Sequence, residues 1–279
     1  MRIASSRRLL GLLLPVAVLF TACGDDDDTT TDATGSPTTE ADGGTVSAPE
    51  GLVSEGALTV CSDTPYEPFE FKDDAGEDTG YDMDLLRAIA VDADLSLAVI
   101  DLPFDGILGS LEAGDCDVVG SAVTITEERA EQVDFSDPYF DADQSLLVPA
   151  DRASELTTLA DLAGGSIGVQ SGTTGEAYAN DNDPGAEIKS FEDSDGLFAA
   201  LAARDIDAIL QDLPVNAYRA TQDDEVVVVE TYPTGEEYGF AVKKDSEELL
   251  DFINAGLATL HDDGRFDEIY GTYFSTDAG

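Results

Sequence analysis

Basic side chains, histidine and cysteine are scarce in this chain. Its 279 residues contain 13 Lys and Arg against 60 Asp and Glu, which gives a formal net charge of -47. Proteins that bind nucleic acid neutralise phosphates with clustered Lys and Arg, so this composition excludes a nucleic-acid partner. One His and three Cys provide no spacing that is typical of a metal site. We therefore expect neither a metal nor a cofactor.

The chain also lacks an apolar run long enough to cross a membrane. The longest run, residues 9–20, has 12 residues, whereas a spanning helix needs about 20. Three Arg precede this run and Thr21, Ala22 and Cys23 follow it, an order typical of a secretory signal. We predict a signal peptide at 1–22. Its exit resembles that of a lipoprotein signal, which implies a lipid anchor on Cys23; a simply cleaved signal is the alternative, and the Arg pair at 7–8 also suggests twin-arginine export.

The next segment is polar and acidic. Residues 24–51 are mostly Asp, Thr, Gly, Ser and Pro, a composition that buries too little apolar surface to offset the entropy of ordering. We predict a disordered tether at 23–51 that connects a folded extracytoplasmic part to the cell membrane, where the lipid on Cys23 anchors it. Over the whole chain 42% of residues are hydrophobic, so the remainder can bury a sizeable core.

From residue 58 onward, short apolar strands alternate with helical patterns, which indicates an α/β architecture. Strands are predicted at 58–61, 117–123, 166–170, 206–210, 226–229 and 238–242. Helices are predicted after Asp82 as a cap, from Phe104 to Gly114, and near the C-terminus. Residues 111–119 and 201–209 repeat one helix–turn–strand pattern at an offset of 90, which favours two similar lobes. The ends of the two repeated strands, at 121–122 and 211–212, are where such sheets bind ligands.

Two segments have the composition of an anion site. Thr126 is a suitable helix N-cap, and Arg129 in the first turn after it can hold a carboxylate with bidentate geometry. The alternative is a surface ion pair of Arg129 with an acidic neighbour, Glu128, Glu131 or Asp134. Thr173 and Glu176 have capping-box spacing, which predicts either a plain capped helix or an anion contact at its start.

Two carboxylates and two aromatic residues are further candidates. Asp63 and Asp212 each follow a predicted strand, where a carboxylate either holds an ammonium or amide group or forms a turn. Tyr66 and Phe104 are either walls for a small ligand or core residues. The cysteines at 61 and 116 lie on or beside strands of one sheet, and from the sequence their pairing as a disulfide stays open.

Together these segments resemble a known family. The segments are Cys61-Ser62-Asp63-Thr64-Pro65-Tyr66-Glu67-Pro68-Phe69-Glu70-Phe71, Gly80-Tyr81-Asp82-Met83-Asp84-Leu85, Thr124-Ile125-Thr126-Glu127-Glu128-Arg129, Asp134-Phe135-Ser136-Asp137-Pro138-Tyr139, Gly172-Thr173-Thr174, Gln211-Asp212 and Tyr238-Gly239-Phe240-Ala241-Val242. In order and spacing they are similar to the family 3 extracytoplasmic solute-binding proteins of polar amino-acid ABC transporters. The resemblance covers about 56–274. It implies a type II periplasmic-binding-protein fold, with lobe 1 at 52–141 and 240–279, lobe 2 at 144–236, and two hinge crossings near 141–144 and 236–239.

The resemblance also implies a role for each candidate. Arg129 would hold the α-carboxylate of an amino acid, helped by Thr124 and Thr174. Asp212 and the backbone of Ala122 would take the α-ammonium. Asp63 would face the ligand side chain, and Tyr66 and Phe104 would enclose its stem; these two bring the implied site to eight residues. Ala122 stands where relatives often have Ser, so a hydroxyl contact is lost there.

The charges of these motifs predict the ligand class. The side-chain pocket would contain Asp63, with Glu67 as a second candidate, and none of the four lysines lies in a ligand-facing motif. Because a buried ligand charge must be paired, basic or amide amino acids are favoured over acidic ones. We expect a monomeric binding protein that delivers its ligand to an ABC permease. The alternatives are an extracytoplasmic enzyme that resembles cyclohexadienyl dehydratases, with Glu67 or Glu70 as the acid, and an adhesion or sensing module.

Overall fold

A computed structural model describes residues 47–274. The predicted signal at 1–22, the anchor at Cys23 and the tether up to residue 46 lie outside these residues. Of the predicted tether, residues 47–51 are described; Pro49 is buried, and the amide of Glu50 donates to Glu248. No helix in 47–274 is both long and apolar enough for a membrane span.

Strands and helices alternate along the described part. The strands are β1 (Ala57–Ser62), β2 (Phe71–Lys72), β3 (Asp78–Thr79), β4 (Ser96–Asp101), β5 (Val118–Val119), β6 (Val133–Phe135), β7 (Phe140–Pro149), β8 (Ser166–Gln170), β9 (Glu187–Phe191), β10 (Ala208–Asp212), β11 (Val226–Tyr238) and β12 (Ala241–Lys243). The helices are α1 (Tyr81–Asp92), α2 (Gly109–Ala113), α3 (Glu127–Ala130), α4 (Thr174–Asp181), α5 (Ser194–Ala202), α6 (Leu213–Gln222), α7 (Glu247–Asp263) and α8 (Arg265–Phe274). Two short 3-10 turns, Ala150–Arg152 and Leu159–Leu162, follow β7.

Two separate five-stranded sheets organise the fold. The first has the order β4-β1-β5-β12-β6 and the second the order β11-β7-β10-β8-β9. β1 pairs parallel with β4 and β5, and β8 pairs parallel with β9 and β10, while β12, β7 and β11 pair antiparallel. This arrangement brings the carboxyl ends of β1 and β5 to one edge, and those of β8 and β10 to another.

The chain passes between the sheets along β7 and β11. These strands pair antiparallel from Phe140 opposite Tyr238 to Pro149 opposite Val226, with register shifts between Val228 and Glu230 and between Tyr232 and Glu236. Such shifts are β-bulges, which bend a strand and redirect its side chains. The two lobes and their two crossings are therefore present, whereas the division at the individual residue numbers given above stays a prediction.

Each sheet has an apolar core of its own. In the first lobe, α1 buries Leu85, Leu86 and Ile89 against α7, and all three side chains are at most 1% exposed. In the second, Val169 and Leu210 lie in a cluster of buried residues between the sheet and its helices. Each fully buried side chain of this size stabilises the fold by about 1.5–3 kcal/mol.

Several local predictions differ from the structure; the strand predicted at 238–242, for example, is interrupted, because β11 ends at Tyr238 and β12 begins at Ala241. Asp82 does not cap α1: the N-cap is Gly80, and the carboxylate of Asp82 instead accepts from the amide of Ala122 (2.8 Å) and the hydroxyl of Tyr139 (2.7 Å). The helix predicted from Phe104 begins only at Gly109, and residues 104–108 form turns. The strand predicted at 117–123 is reduced to β5, because the chain leaves the sheet at 120 to line the site described below.

Cys61 and Cys116 form a disulfide with a Cα–Cα distance of 5.7 Å. Cys61 lies in β1, and Cys116 comes two residues before β5, which pairs parallel to β1 through Val60 and Val118. Both cysteines are buried. The pairing that the sequence left open is therefore present.

Candidate functional site

The predicted site residues meet in one cleft between the two sheets. Its lining contains all eight: Asp63, Tyr66, Phe104, Ala122, Thr124, Arg129, Thr174 and Asp212. It also contains Ser121, Gln170 and Thr173. Asp63 follows β1 and Asp212 ends β10, so the carboxyl ends of strands from both lobes converge here. Their part in ligand binding stays a prediction.

Arg129 spans the two lobes at one end of the cavity. Thr126 caps α3 by accepting from the amide of Arg129 at 3.1 Å, as predicted. The guanidinium donates to the carbonyls of Thr124 (2.8 Å) and, in the other lobe, Gly172 (3.1 Å), and it lies over the ring of Phe104 at 5.3 Å from the centroid. Burial lowers the pKa of Arg129 from its ordinary value. Its hydrogen-bond acceptors are neutral carbonyls, so the guanidinium can still form an ion pair with a bound anion.

The alternative surface pair of Arg129 is wrong. Asp134 instead pairs with Lys244 at 2.7 Å. Within 47–274 neither Glu128 nor Glu131 forms an ion pair with the guanidinium. However, α3 is a single turn of four residues, so its N-terminus contributes little, and the anion site rests mainly on Arg129.

Asp212 ends β10 in the second lobe and is 6% exposed. Its carboxylate accepts from the hydroxyl of Tyr66 in the other lobe at 2.9 Å, from the hydroxyl of Tyr238 and from the amide nitrogen of Gln144. Burial raises the pKa of Asp212, and the bond from Tyr238 opposes this shift. The side chain forms no cap bond with α6. It is therefore a buried acceptor rather than a turn-former.

Asp63 is equally buried, at 6% exposure. Its amide donates to the hydroxyl of Ser121 at 3.0 Å, and its carboxylate accepts from the side-chain amide of Gln170 across the cavity. Burial raises the pKa of Asp63 to about 7, against the lowering effect of Gln170, and the charges of Asp101 and Asp193 raise it further. A cation that reached this carboxyl would favour its ionised form.

Two buried acidic residues accept hydrogen bonds from residues that line the cavity. Glu70 accepts from the hydroxyl of Ser121 at 2.7 Å, and Asp82 accepts from the amide of Ala122, which has a positive φ of 45°. Both acids are fully buried. Burial raises the pKa of Glu70 well above its usual range and that of Asp82 to about 7. Because its amide is taken by Asp82, Ala122 can offer a ligand only its carbonyl.

The hydroxyls of Thr124 and Thr174 have an unexpected partner. Both donate to the carboxylate of Glu236, at 3.0 Å and 2.6 Å respectively. Glu236 lies in β11 beside a register shift, and the sequence analysis did not select it. No pattern in the sequence indicates it, because the bulge in β11 decides where this side chain points.

Gln170 was also missed, and Ser121 was predicted only as part of the strand end at 121–122. Gln170 is the last residue of the predicted strand β8, and Ser121 adjoins the predicted strand end at Ala122. Glu67, by contrast, is exposed and lines a separate crevice with Pro65 and Tyr218, so its suggested place in the side-chain pocket is wrong.

The charges of the lining are unequal. Arg129 is its one cation and Asp63 and Asp212 are its carboxylates, while no lysine of the described part contributes. A buried charge is stable only when it is paired. The lining can therefore pair one anionic group at Arg129 and two cationic or donor groups at the carboxylates, which an α-amino acid with a basic or amide side chain supplies.

The chain is similar to several known proteins. A probable histidine-binding protein of Neisseria gonorrhoeae is 33% identical over 229 residues, which cover 79% of this chain and 84% of that protein. An ancestral arginine-binding protein, solved bound to arginine and again bound to glutamine, has a TM-score of 0.75 and 38% identity, and the match covers 79% of this chain and 99% of that one. An ancestral amino acid-binding protein described as a precursor of cyclohexadienyl dehydratase has a TM-score of 0.73 and 39% identity, over 79% of this chain and 96% of that one.

These likenesses confirm the predicted fold class, a type II periplasmic-binding-protein fold with two α/β lobes and two hinge crossings. Residues 58–276 match the family described as bacterial extracellular solute-binding proteins, family 3. The match includes both sheets and every residue of the cavity lining. The chain therefore belongs to family 3 of the bacterial extracellular solute-binding proteins.

Proposed function

We propose that this protein binds a free amino acid with a basic or amide side chain in the cavity between its lobes. The observation that carries the proposal is the set of charges in the lining: the cation of Arg129, the carboxylate of Asp212 and the carboxyl of Asp63, which accepts from Gln170. A zwitterion with one further cationic or amide group matches this arrangement. Relatives described as binding histidine, arginine or glutamine support the same ligand class.

Each lining residue has a role in this proposal. Arg129 pairs with the α-carboxylate and Asp212 with the α-ammonium, while the carbonyl of Ala122 accepts from the same ammonium. Asp63 pairs with the end of the side chain. Tyr66 and Phe104 enclose the apolar stem. The guanidinium of Arg129 lies over the ring of Phe104.

The proposal extends to the place and partner of the protein. The family membership supports an extracytoplasmic protein that hands its ligand to an ABC transporter permease. A lipid anchor on Cys23 would keep the protein at the cell membrane, and the tether up to residue 51 would let it reach the permease as a monomer. Lobe 1 would then comprise 52–141 and 240–279, and lobe 2 would comprise 144–236.

A thermal-shift screen of the twenty amino acids tests the ligand class. A ligand that binds only the folded protein stabilises it by mass action and so raises the melting temperature. At a ligand concentration one hundred times Kd, the added stability is about 2.7 kcal/mol. We expect shifts with arginine, lysine, histidine or glutamine and none with aspartate or glutamate. Shifts with the acidic amino acids alone would refute the proposed assignment of charges.

Binding is favoured over catalysis at this site. Glu70, one of the two candidate acids, is fully buried behind Ser121, and Glu67 lies outside the cavity. Neither is placed to transfer a proton to a ligand in the cavity. We therefore propose a binding protein without enzymatic activity. If the amino acid that gives the largest shift is recovered chemically unchanged after long incubation, this part of the proposal is supported.

A further inference from the structure

Glu236 connects the two lobes beside Thr124 and Thr174, which are assigned above to the α-carboxylate of the ligand. One oxygen of its carboxylate accepts from the hydroxyl of Thr174 at 2.6 Å and from that of Thr124 at 3.0 Å. The other accepts from the side-chain amide of Gln144 at 3.2 Å. Thr124 follows β5 of the first sheet, and Thr174 begins α4 of the second lobe. A single carboxylate is therefore bound by donors from both lobes.

The same hydroxyls are those assigned above to the α-carboxylate of a ligand. A threonine hydroxyl has one hydrogen and donates it to one acceptor at a time. Donation to Glu236 therefore excludes donation to a ligand carboxylate. A second carboxylate that approached Thr124 and Thr174 would also meet the charge of the first, and like charges in a partly desolvated site repel each other strongly.

Glu236 also acts on the cation of the site. The negative charges that face the guanidinium of Arg129 are those of Asp212, Glu236 and Glu128. Of these, Glu236 alone shares hydrogen-bond donors with the predicted α-carboxylate site. Its charge offsets part of the attraction that Arg129 exerts on an incoming anion.

We propose that Glu236 is a specificity-determining residue that competes with the α-carboxylate of the ligand for the hydroxyls of Thr124 and Thr174. This inference rests on the proposed function, since it needs an amino acid in the cavity. Glu236 lowers the affinity for ligands that carry an α-carboxylate. It lowers the affinity much less for a ligand whose α-carboxylate is replaced by an amide, because an amide is neutral and can donate to Glu236.

The test compares the wild type with variants of Glu236 and of Glu237, each with two ligands. The variants are Glu236→Gln, which removes the charge, and Glu236→Ala, which also frees both hydroxyls. Glu237→Gln and Glu237→Ala are matched controls, because Glu237 is the next residue of β11, is exposed, and has a side chain without a hydrogen bond among the described residues. Affinities for arginine and argininamide are measured by calorimetry at pH 8, and thermal denaturation verifies that each variant is folded.

We expect Glu236→Gln to bind arginine at least tenfold more tightly, about 1.4 kcal/mol, and Glu236→Ala to bind it at least as tightly as Glu236→Gln. Binding of argininamide should change much less, and the Glu237 variants should resemble the wild type with both ligands. An equal effect on arginine and argininamide, no effect, or weaker arginine binding by both Glu236 variants would overturn the inference.

The proposed function can fail separately. If the screen selects another amino acid, that amino acid and its α-amide replace arginine and argininamide. Binding by the wild type together with unchanged Glu236 variants refutes only the competition at Glu236. Failure of the wild type and of both Glu236 variants to bind any of the twenty amino acids refutes the proposed function and the competition together.

Discussion

Arg129 lies half-buried and Asp63 lies buried at the cavity, and within 47–274 neither forms an ion pair. The guanidinium of Arg129 donates to two carbonyls, and the carboxylate of Asp63 accepts from the neutral amide of Gln170. Neutral partners satisfy the hydrogen-bonding groups but do not balance the charges. A ligand that carries the complementary charges therefore gains more here than at an exposed ion pair, which contributes only about 0–1 kcal/mol.

The first prediction concerns the α-carboxylate. Arg129→Ala leaves that group of the ligand unpaired in a buried site, so we expect affinity to fall by about a hundredfold or more, which is about 2.7 kcal/mol. Calorimetry with the best ligand from the screen measures this. Lys72→Ala is the control, because it removes one positive charge at a surface pair with Asp78. Unchanged affinity of the Arg129 variant would show that the carboxylate binds elsewhere.

The second prediction concerns pH. Burial raises the pKa of Asp63 to about 7, so this carboxyl becomes neutral as pH falls through 7 and no longer attracts a cationic side chain. Binding of arginine should therefore weaken by about tenfold from pH 8 to pH 6. Asp63→Asn should weaken the binding of arginine at pH 8 and abolish this pH dependence. The binding of glutamine should change much less.

Calorimetry at several pH values with both ligands measures this effect. Asp74→Asn is the matched control, since Asp74 lies exposed in a turn. A pH profile that is the same in the wild type and in the Asp63 variant would contradict the prediction.

At the scale of elements, periodicity and capping predicted strands such as β1, β8 and β10 but not β4, β7 or β9. Thr126 caps α3 and Gly114 ends α2 in a left-handed conformation, as their residue types indicate. The prediction for Asp82 was wrong because the pattern identifies an acidic residue near a helix start but not its partners. Asp82 bonds to Ala122 and Tyr139, which are 40 and 57 residues away in the chain. Such contacts depend on packing rather than on local sequence.

The third prediction concerns the disulfide that joins β1 to the segment before β5. Cys61 and Cys116 are 55 residues apart, and on loop-closure entropy a crosslink of this length stabilises the fold by up to about 4 kcal/mol. The double variant Cys61→Ala, Cys116→Ala should lose about 2–4 kcal/mol in urea denaturation. A reducing agent should destabilise the wild type to a similar degree and leave the double variant unchanged; an equal response of both proteins would contradict the prediction.

For the whole molecule, the excess of acidic residues dominates the electrostatics. With a formal net charge of -47, self-repulsion destabilises the compact state. The ion pairs of the described residues, such as Lys72 with Asp78 and Arg204 with Asp151, are largely exposed and contribute little stability. The folded lobes therefore persist through apolar packing against unfavourable long-range charge.

The fourth prediction follows from this repulsion. Sodium chloride shortens the Debye length from about 30 Å at 0.01 M to about 8 Å at 0.15 M, so the melting temperature at pH 7.5 should rise by several degrees over that range. The control is the same titration near the sequence pI of 4.1, where the net charge is small and the effect should be weak. A melting temperature that falls with salt at pH 7.5 would contradict the prediction.

The sequence by itself determined which residues end the parallel strands and therefore which side chains lie at the cavity. Asp63 and Ala122 follow strands of the first sheet and Asp212 ends a strand of the second. The apolar pattern of these strands is local, and parallel pairing within a sheet places such ends at one edge. The tertiary structure alone decided that Gln170 meets Asp63 and that Glu236 takes the hydroxyls of Thr124 and Thr174. These contacts join the two lobes through a bulged hinge strand, and their geometry depends on how the lobes pack.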